Sequence, residues 1–213
     1  MGITERKERE KEQRRNAIID AAEKVFSSKG FRQSSMEEVA HQAELSKGTL
    51  YLYFSSKEEL QFAITTRGLN LLYLKLKETF NEKQTGAENL FEIGKAYVRF
   101  SREYPDYFKA IIFFESSSLE NLDPVIREKL IAEDSPLTIF LKAIEKGKKD
   151  TTIRNDMETM EMGKILWTQL TGTLQFILYR PKLFDLLGFS EDEMLLNHFR
   201  IVQDGIIRNT KVV

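Results

Sequence analysis

The sequence predicts an all-α protein, on three observations. Apolar residues recur at helical spacing in one segment after another. Four Ser/Thr-x-x-Glu signatures, at Ser35, Ser56, Thr85 and Ser190, each stand just ahead of such a segment. In each, the hydroxyl can accept from the third backbone N–H while the glutamate reaches back to the first. Only four prolines interrupt 213 residues, and no stretch shows the strict alternation of a half-buried strand.

Taken in order, Ile18, Ala21, Ala22, Val25 and Phe26 mark one face of a first helix ending near Gly30. Met36, Val39, Ala40 and Ala43 repeat the spacing over a short second helix that starts at the Ser35…Glu38 box. Leu50 and Phe54 pair on a third, reading from Lys47 to Phe54. A long helix follows from Lys57 to about Phe80, then one from Thr85 to about Glu103 and a short one from Pro105 to about Glu115. Asp123-Pro124, an N-cap followed by proline at the first helical position, opens a helix to about Lys148 that breaks near Ser135-Pro136. The last two run from about Asp156 to Tyr179 and from Ser190 to about Asn209, nine helices or so in all.

Composition removes several classes of function. With no cysteine there is no disulfide and no thiolate chemistry, which fits a reducing, cytoplasmic setting. Two histidines, His41 and His198, are too few for a zinc-type cluster, so neither metal nor cofactor is expected. No apolar run approaches the ~20 residues of a membrane helix. No phosphate-cradling glycine loop or Ser/His/Asp order appears, and the chain does not read as an enzyme. A net charge of −1 gives no bulk attraction to nucleic acid, and residues 1–60 hold eleven basic and eleven acidic side chains. Distribution must matter more than the sum.

That distribution favours one short helix. The second and third helices, joined by Ala43-Glu44-Leu45-Ser46, cannot bury their small apolar faces alone and need the first as a lid, through Ala22, Val25 and Phe26. Leu45 is the expected anchor of the turn and Ser46 the N-cap. With Leu50 and Phe54 turned inward, Lys47, Gly48, Thr49, Tyr51 and Tyr53 are left on a side without a carboxylate. A cation, a glycine that admits close backbone approach, a hydroxyl and two phenols suit phosphates and base edges in a major groove. Such residues also occur on ordinary amphipathic surfaces, and the helix alone does not decide between the two.

Residues 14–62 resemble the N-terminal domain of the TetR family of bacterial transcriptional regulators. The match is carried by Ile18, Ala21-Ala22, Phe26, Gly30-Phe31, Ser34-Ser35, Val39-Ala40, Ala43, Ser46-Lys47-Gly48-Thr49-Leu50-Tyr51, Phe54, Lys57-Glu58 and Leu60. The resemblance implies a helix-turn-helix at about 35–54. In it Ser35 contacts phosphate, Ser46, Lys47, Gly48 and Thr49 lie at the major-groove end, and Tyr51 and Tyr53 brace the backbone. Lys57 would bind phosphate by its side chain or through the helix N-terminus. Glu44 stands where the family commonly has glycine, so it must adopt a left-handed conformation at about 1–2 kcal/mol or use another turn. The charged stretch 1–13 ahead of this domain has two readings, a solvated extension of the first helix or an arm whose Arg6, Lys7 and Arg9 reach DNA.

For residues 63–213 the resemblance implies a helical domain that binds a small molecule and forms a homodimer through the last two long helices. Met162, Leu166, Leu170, Leu174 and Ile177 form one apolar stripe and Leu195, Phe199, Val202 and Ile206 another, with Gly163 and Gly172 permitting close approach. Either stripe is also what a monomer core requires. Aromatic residues crowd the middle helices, and Tyr97, Phe100, Phe108, Phe114 and Trp167 are the candidates to line a site for a largely apolar ligand. Ser116-Ser117-Ser118 is a candidate joint. The implied function is a repressor released from a palindromic operator by its ligand. A ligand-responsive activator, and a dimeric interaction module without DNA readout, are the alternatives.

Overall fold

The computed structural model describes residues 2–114, 134–180, 182, 186, 188 and 190–207. The expected start at Asp123-Pro124 and the Ser116-Ser117-Ser118 joint lie outside them. Among the described residues there are nine helices and no strand. They are α1 (Ile3–Lys29), α2 (Met36–Gln42), α3 (Lys47–Tyr51), α4 (Lys57–Thr79), α5 (Gly86–Glu103), α6 (Pro105–Ile112), α7 (Pro136–Lys149), α8 (Thr159–Tyr179) and α9 (Glu191–Ile206). Described residues 2–68 and 109–114 form one compact unit; 69–108 and those from 134 onward form another. Helix α4 passes from the first into the second at Gly68.

In the first unit α1 buries Ile18, Ala21, Ala22 and Val25 against Val39, Ala40, Leu50 and Phe54, every one less than a tenth exposed. The charged stretch is helical from Ile3, with Arg6 donating to Glu10 one turn on at 2.7 Å. Gly30 stops α1 with φ of 81°, a left-handed conformation that glycine adopts without a Cβ penalty. Helix α2 starts on the complete Ser35…Glu38 box. Glu44 is left-handed, φ 55°, so the turn keeps the geometry that glycine would have supplied. Leu45, the expected anchor, is only half-buried.

Helix α3 is shorter than expected, ending at Tyr51. Leu52 and Tyr53 close tight three-residue bonds to Thr49 and Leu50, and only Phe54 returns to the α-helical pattern. The box at Ser56 is half-made: Ser56 caps the Glu59 N–H, but Glu59 turns to the Ser55 N–H and hydroxyl instead.

In the second unit α5 is the central helix, with Ile93, Tyr97, Phe100 and Ser101 nearly inaccessible. It starts on the Thr85…Glu88 box and crosses the end of α7 glycine on glycine. A Cβ on Gly86 would stand 1.9 Å from the Gly147 nitrogen, a backbone atom that cannot swing away. Gly86→Ala is therefore expected to destabilise this unit by about 3 kcal/mol or more, the upper range for overpacking, read as a lowered urea midpoint. The first unit contains neither glycine, so its own melting should stay unchanged.

The two apolar stripes need correction. Met162, Leu166, Leu170, Leu174 and Ile177 are 2–8% exposed and lie inside the chain's own core, as do Leu195 and Ile206. Gly163 gives close approach within the chain, its missing Cβ facing Leu141 of α7 at 2.6 Å, whereas Gly172 has nothing within 4 Å. The outward apolar residues of these helices are others: Met160 and Ile165 on α8, and Leu196 and Ile201 on α9, the last two about 70% exposed.

Candidate DNA-reading site

The recognition segment is positioned from both ends. Ser46 caps α3 by accepting the Thr49 N–H at 3.1 Å, and its hydroxyl lies 2.8 Å from the Thr49 hydroxyl. Leu50 and Phe54, both fully buried, fix its inner side, and the Arg15 guanidinium sits over the Phe54 ring at 4.8 Å. Ser46, Lys47, Gly48 and Tyr51 are exposed; Thr49 and Tyr53 are half-buried. A Cβ on Gly48 would meet nothing nearer than the Ser46 hydroxyl at 4.0 Å. Packing therefore does not require glycine there. The backbone at Gly48 is thus open to approach from outside.

The expected cations are placed differently from one another. The Lys47 ammonium bonds the Glu37 carboxylate of α2 and lies 5.9 Å from the Tyr51 ring centre. That hydrogen bond holds Lys47 above its ordinary range and Glu37 below its own. The carboxylate was not legible as a partner, because it comes from the neighbouring helix. Both side chains remain 57% exposed, and Lys47 keeps two donors in reserve.

Lys57, in contrast, turns inward. Its ammonium donates to the carbonyls of Phe31 at 2.8 Å and Ser34 at 2.9 Å, with Arg32 at 3.4 Å, and lies 4.5 Å over the Phe31 ring. Ser35 is half-buried, its hydroxyl engaged with Glu38, whose carboxyl is held low first by Lys29 and then by the Ser35 backbone.

A further ion-paired group ties two helices of this unit together. Arg67 of α4 bonds Asp20 at 2.6 Å, Glu23 at 2.9 Å and Asn16 at 3.0 Å, tying α4 to α1 just before Gly68. Asn16, Asp20 and Glu23 stand at helical spacing, the one sequence signal that could have revealed a cationic partner.

Of the five ligand candidates, Tyr97, Phe108 and Trp167 are brought together, but as packed rings and not as the lining of a cavity. Tyr97 stacks on Trp167 (4.7 Å, 18°) and meets Phe108 edge-on at 5.8 Å; Phe100 packs on Tyr104. Tyr97, Phe100 and Phe108 are core residues, at most 1% exposed. Burial pushes the Tyr97 phenol above its ordinary range, with only the Thr171 hydroxyl opposing at 3.1 Å. Phe114 belongs to the first unit, against Phe62. A narrow apolar cleft of about 20 Å³ in the second unit is lined by other residues, among them Phe91, Gly94, His198 and Phe199. His198 is half-buried there, its ring nitrogen 3.2 Å from the Thr173 hydroxyl, and burial lowers its pKa.

A capped short helix held by a left-handed turn on a three-helix base, with polar residues left outward, has the form of a helix-turn-helix. Comparison with known proteins shows what this segment is similar to. Residues 18–64 match the model described as "Bacterial regulatory proteins, tetR family". The fatty acid metabolism regulator protein of Bacillus subtilis is 36% identical over 73 residues, 34% of this chain and 38% of that protein. The HTH-type transcriptional activator FasR of Mycolicibacterium smegmatis is 30% identical over 61% of this chain and 58% of its own length. The match thus spans well under two thirds of these relatives. Among solved structures, the fatty acid degradation regulator FadR from Bacillus halodurans shares the fold with a TM-score of 0.69 at 17% identity, over 89% of this chain and 94% of that one. Residues 18–64 therefore resemble the bacterial regulatory proteins of the tetR family, and the chain shares its fold with solved structures of that family.

Proposed function

We propose that the protein is a homodimeric repressor that binds a palindromic operator and is released from it by a largely apolar small molecule. The observation that carries the DNA reading is the outward side of α3: Gly48 unconstrained by packing, flanked by Lys47, Thr49 and Tyr51. A two-fold dimer presents two such helices to successive half-sites. Lys47 leaves or shares Glu37 when it meets DNA, and Ser46, Thr49 and Tyr53 supply hydroxyls beside it. For the ligand, the support is the apolar, aromatic-rich second unit and the relatives named for fatty acid metabolism. The class proposed is an acyl chain or a molecule of similar shape. The cytoplasm is the proposed compartment; no described helix is long and apolar enough to cross a membrane.

Selection from random duplex DNA tests this. The recovered sites should share an inverted repeat with half-sites about one helical turn apart. Lys47→Ala should abolish the footprint while the circular dichroism spectrum and sedimentation stay those of the parent. An unchanged footprint would remove Lys47 from the interface, and recovery of no common sequence would leave the interaction-module reading in place of the regulator.

A further inference from the structure

We infer that Lys57 is a positioning residue for the DNA interface, not a phosphate contact. This rests on the DNA reading above and reassigns one cation within it. An ammonium has three hydrogens to donate, and three carbonyls converge on this one: Phe31, Arg32 and Ser34. The fourth side is closed by the Phe31 ring face at 4.5 Å. A phosphate could reach the nitrogen only by displacing a carbonyl, which would then lack a partner.

Those carbonyls belong to the segment that decides where α2 begins. Gly30 ends α1 in a left-handed conformation, and the chain turns through Phe31 to Ser34. The Ser34 hydroxyl, 5% exposed as a residue, donates back to the Gly30 carbonyl at 2.7 Å. The next residue is Ser35, the cap of α2. Phe31 is held at its other side by Phe26, edge-on at 5.4 Å. Lys57, first residue of α4, therefore pins the end of α1 and the start of α2 to one point. The placement of Ser35, Glu37 and the α3 that follows depends on that pin. Lys47 is the contrast: one carboxylate partner, 57% exposure and donors to spare.

The two roles differ in how binding responds to salt. A lysine on phosphate releases a counterion, so removing it lowers the slope of log affinity against log salt by about 0.9. A lysine that only positions neutral groups leaves the slope alone while affinity falls. The experiment titrates full-length parent, Lys57→Met and Lys57→Arg against a labelled duplex carrying the selected site, from low to physiological salt. For Lys57→Met the expected result is an affinity lower by about tenfold, the size of one lost hydrogen-bonded contact, at the parent slope. Lys57→Arg keeps the charge and the fold but offers a flat fork where three carbonyls converge on a point. It should also weaken binding at the parent slope, and it keeps the inference testable if the methionine variant does not fold. A slope reduced by about one charge in Lys57→Met, or parental affinity in Lys57→Arg, would overturn it. Parent protein that binds no duplex at all would overturn the DNA reading itself, and the inference with it.

Discussion

Phe54→Ala is expected to melt the first unit at temperatures where the second remains intact. Phe54 is wholly inaccessible and closes α3 onto α1, with Arg15 covering its ring. Truncating such a ring removes about 3–5 kcal/mol, a large part of the stability of so small a three-helix base. The short α3 has nothing local to fall back on, because five residues cannot hold a helix without packing. The single tryptophan, Trp167, lies in the second unit, stacked on Tyr97. Its fluorescence therefore reports that unit alone, while circular dichroism at the helical minimum reports both. In the variant the dichroism should fall in two steps, the earlier one silent in fluorescence, and operator binding should vanish with the first step. A single coincident transition would mean that the two units unfold as one.

What the sequence revealed and what it concealed divide along a physical line. Positions governed by neighbours along the chain were legible. The caps at Ser35, Ser46, Thr85 and Ser190 all form their hydroxyl bond, and Leu50 and Phe54 turn inward as their spacing requires. The irregular joint at Glu44 was reduced to two choices by the geometry glycine would have given, and the left-handed one is adopted. Positions governed by distant partners were not legible. Lys47 and Lys57 look alike as cations on short stretches, yet one meets a carboxylate ten residues back and the other three carbonyls more than twenty back. Aromatic richness could not separate core from cleft: Tyr97 and Phe108 fill the interior, while Phe91, Phe140 and Phe199 border the opening.

The same limit governs the expected dimer, and there it yields a sharper experiment. Periodicity identifies an apolar stripe but not which surface covers it, and α8 is apolar on more than one side. Its inner stripe, Leu166, Leu170 and Leu174, is covered by its own chain. The outward face includes Met160, Ile165, Thr168 and Gly172 on α8, with Leu196 and Ile201 on α9. Exposed aliphatic side chains on two packed helices, with an open glycine beside them, fit a partner helix better than they fit water. If this face joins two protomers, the double variant Ile165→Glu, Leu196→Glu should sediment as a folded monomer, since buried facing carboxylates repel and lack partners. Its operator affinity should fall about 10²–10⁴-fold, the gain that linking two half-site contacts provides. Leu170→Ala is the control: it should lower stability by about 2–5 kcal/mol yet leave the folded fraction dimeric. If the double variant stays dimeric and the control dissociates, the inner stripe is the interface after all, and α8 must turn about its axis when two protomers meet.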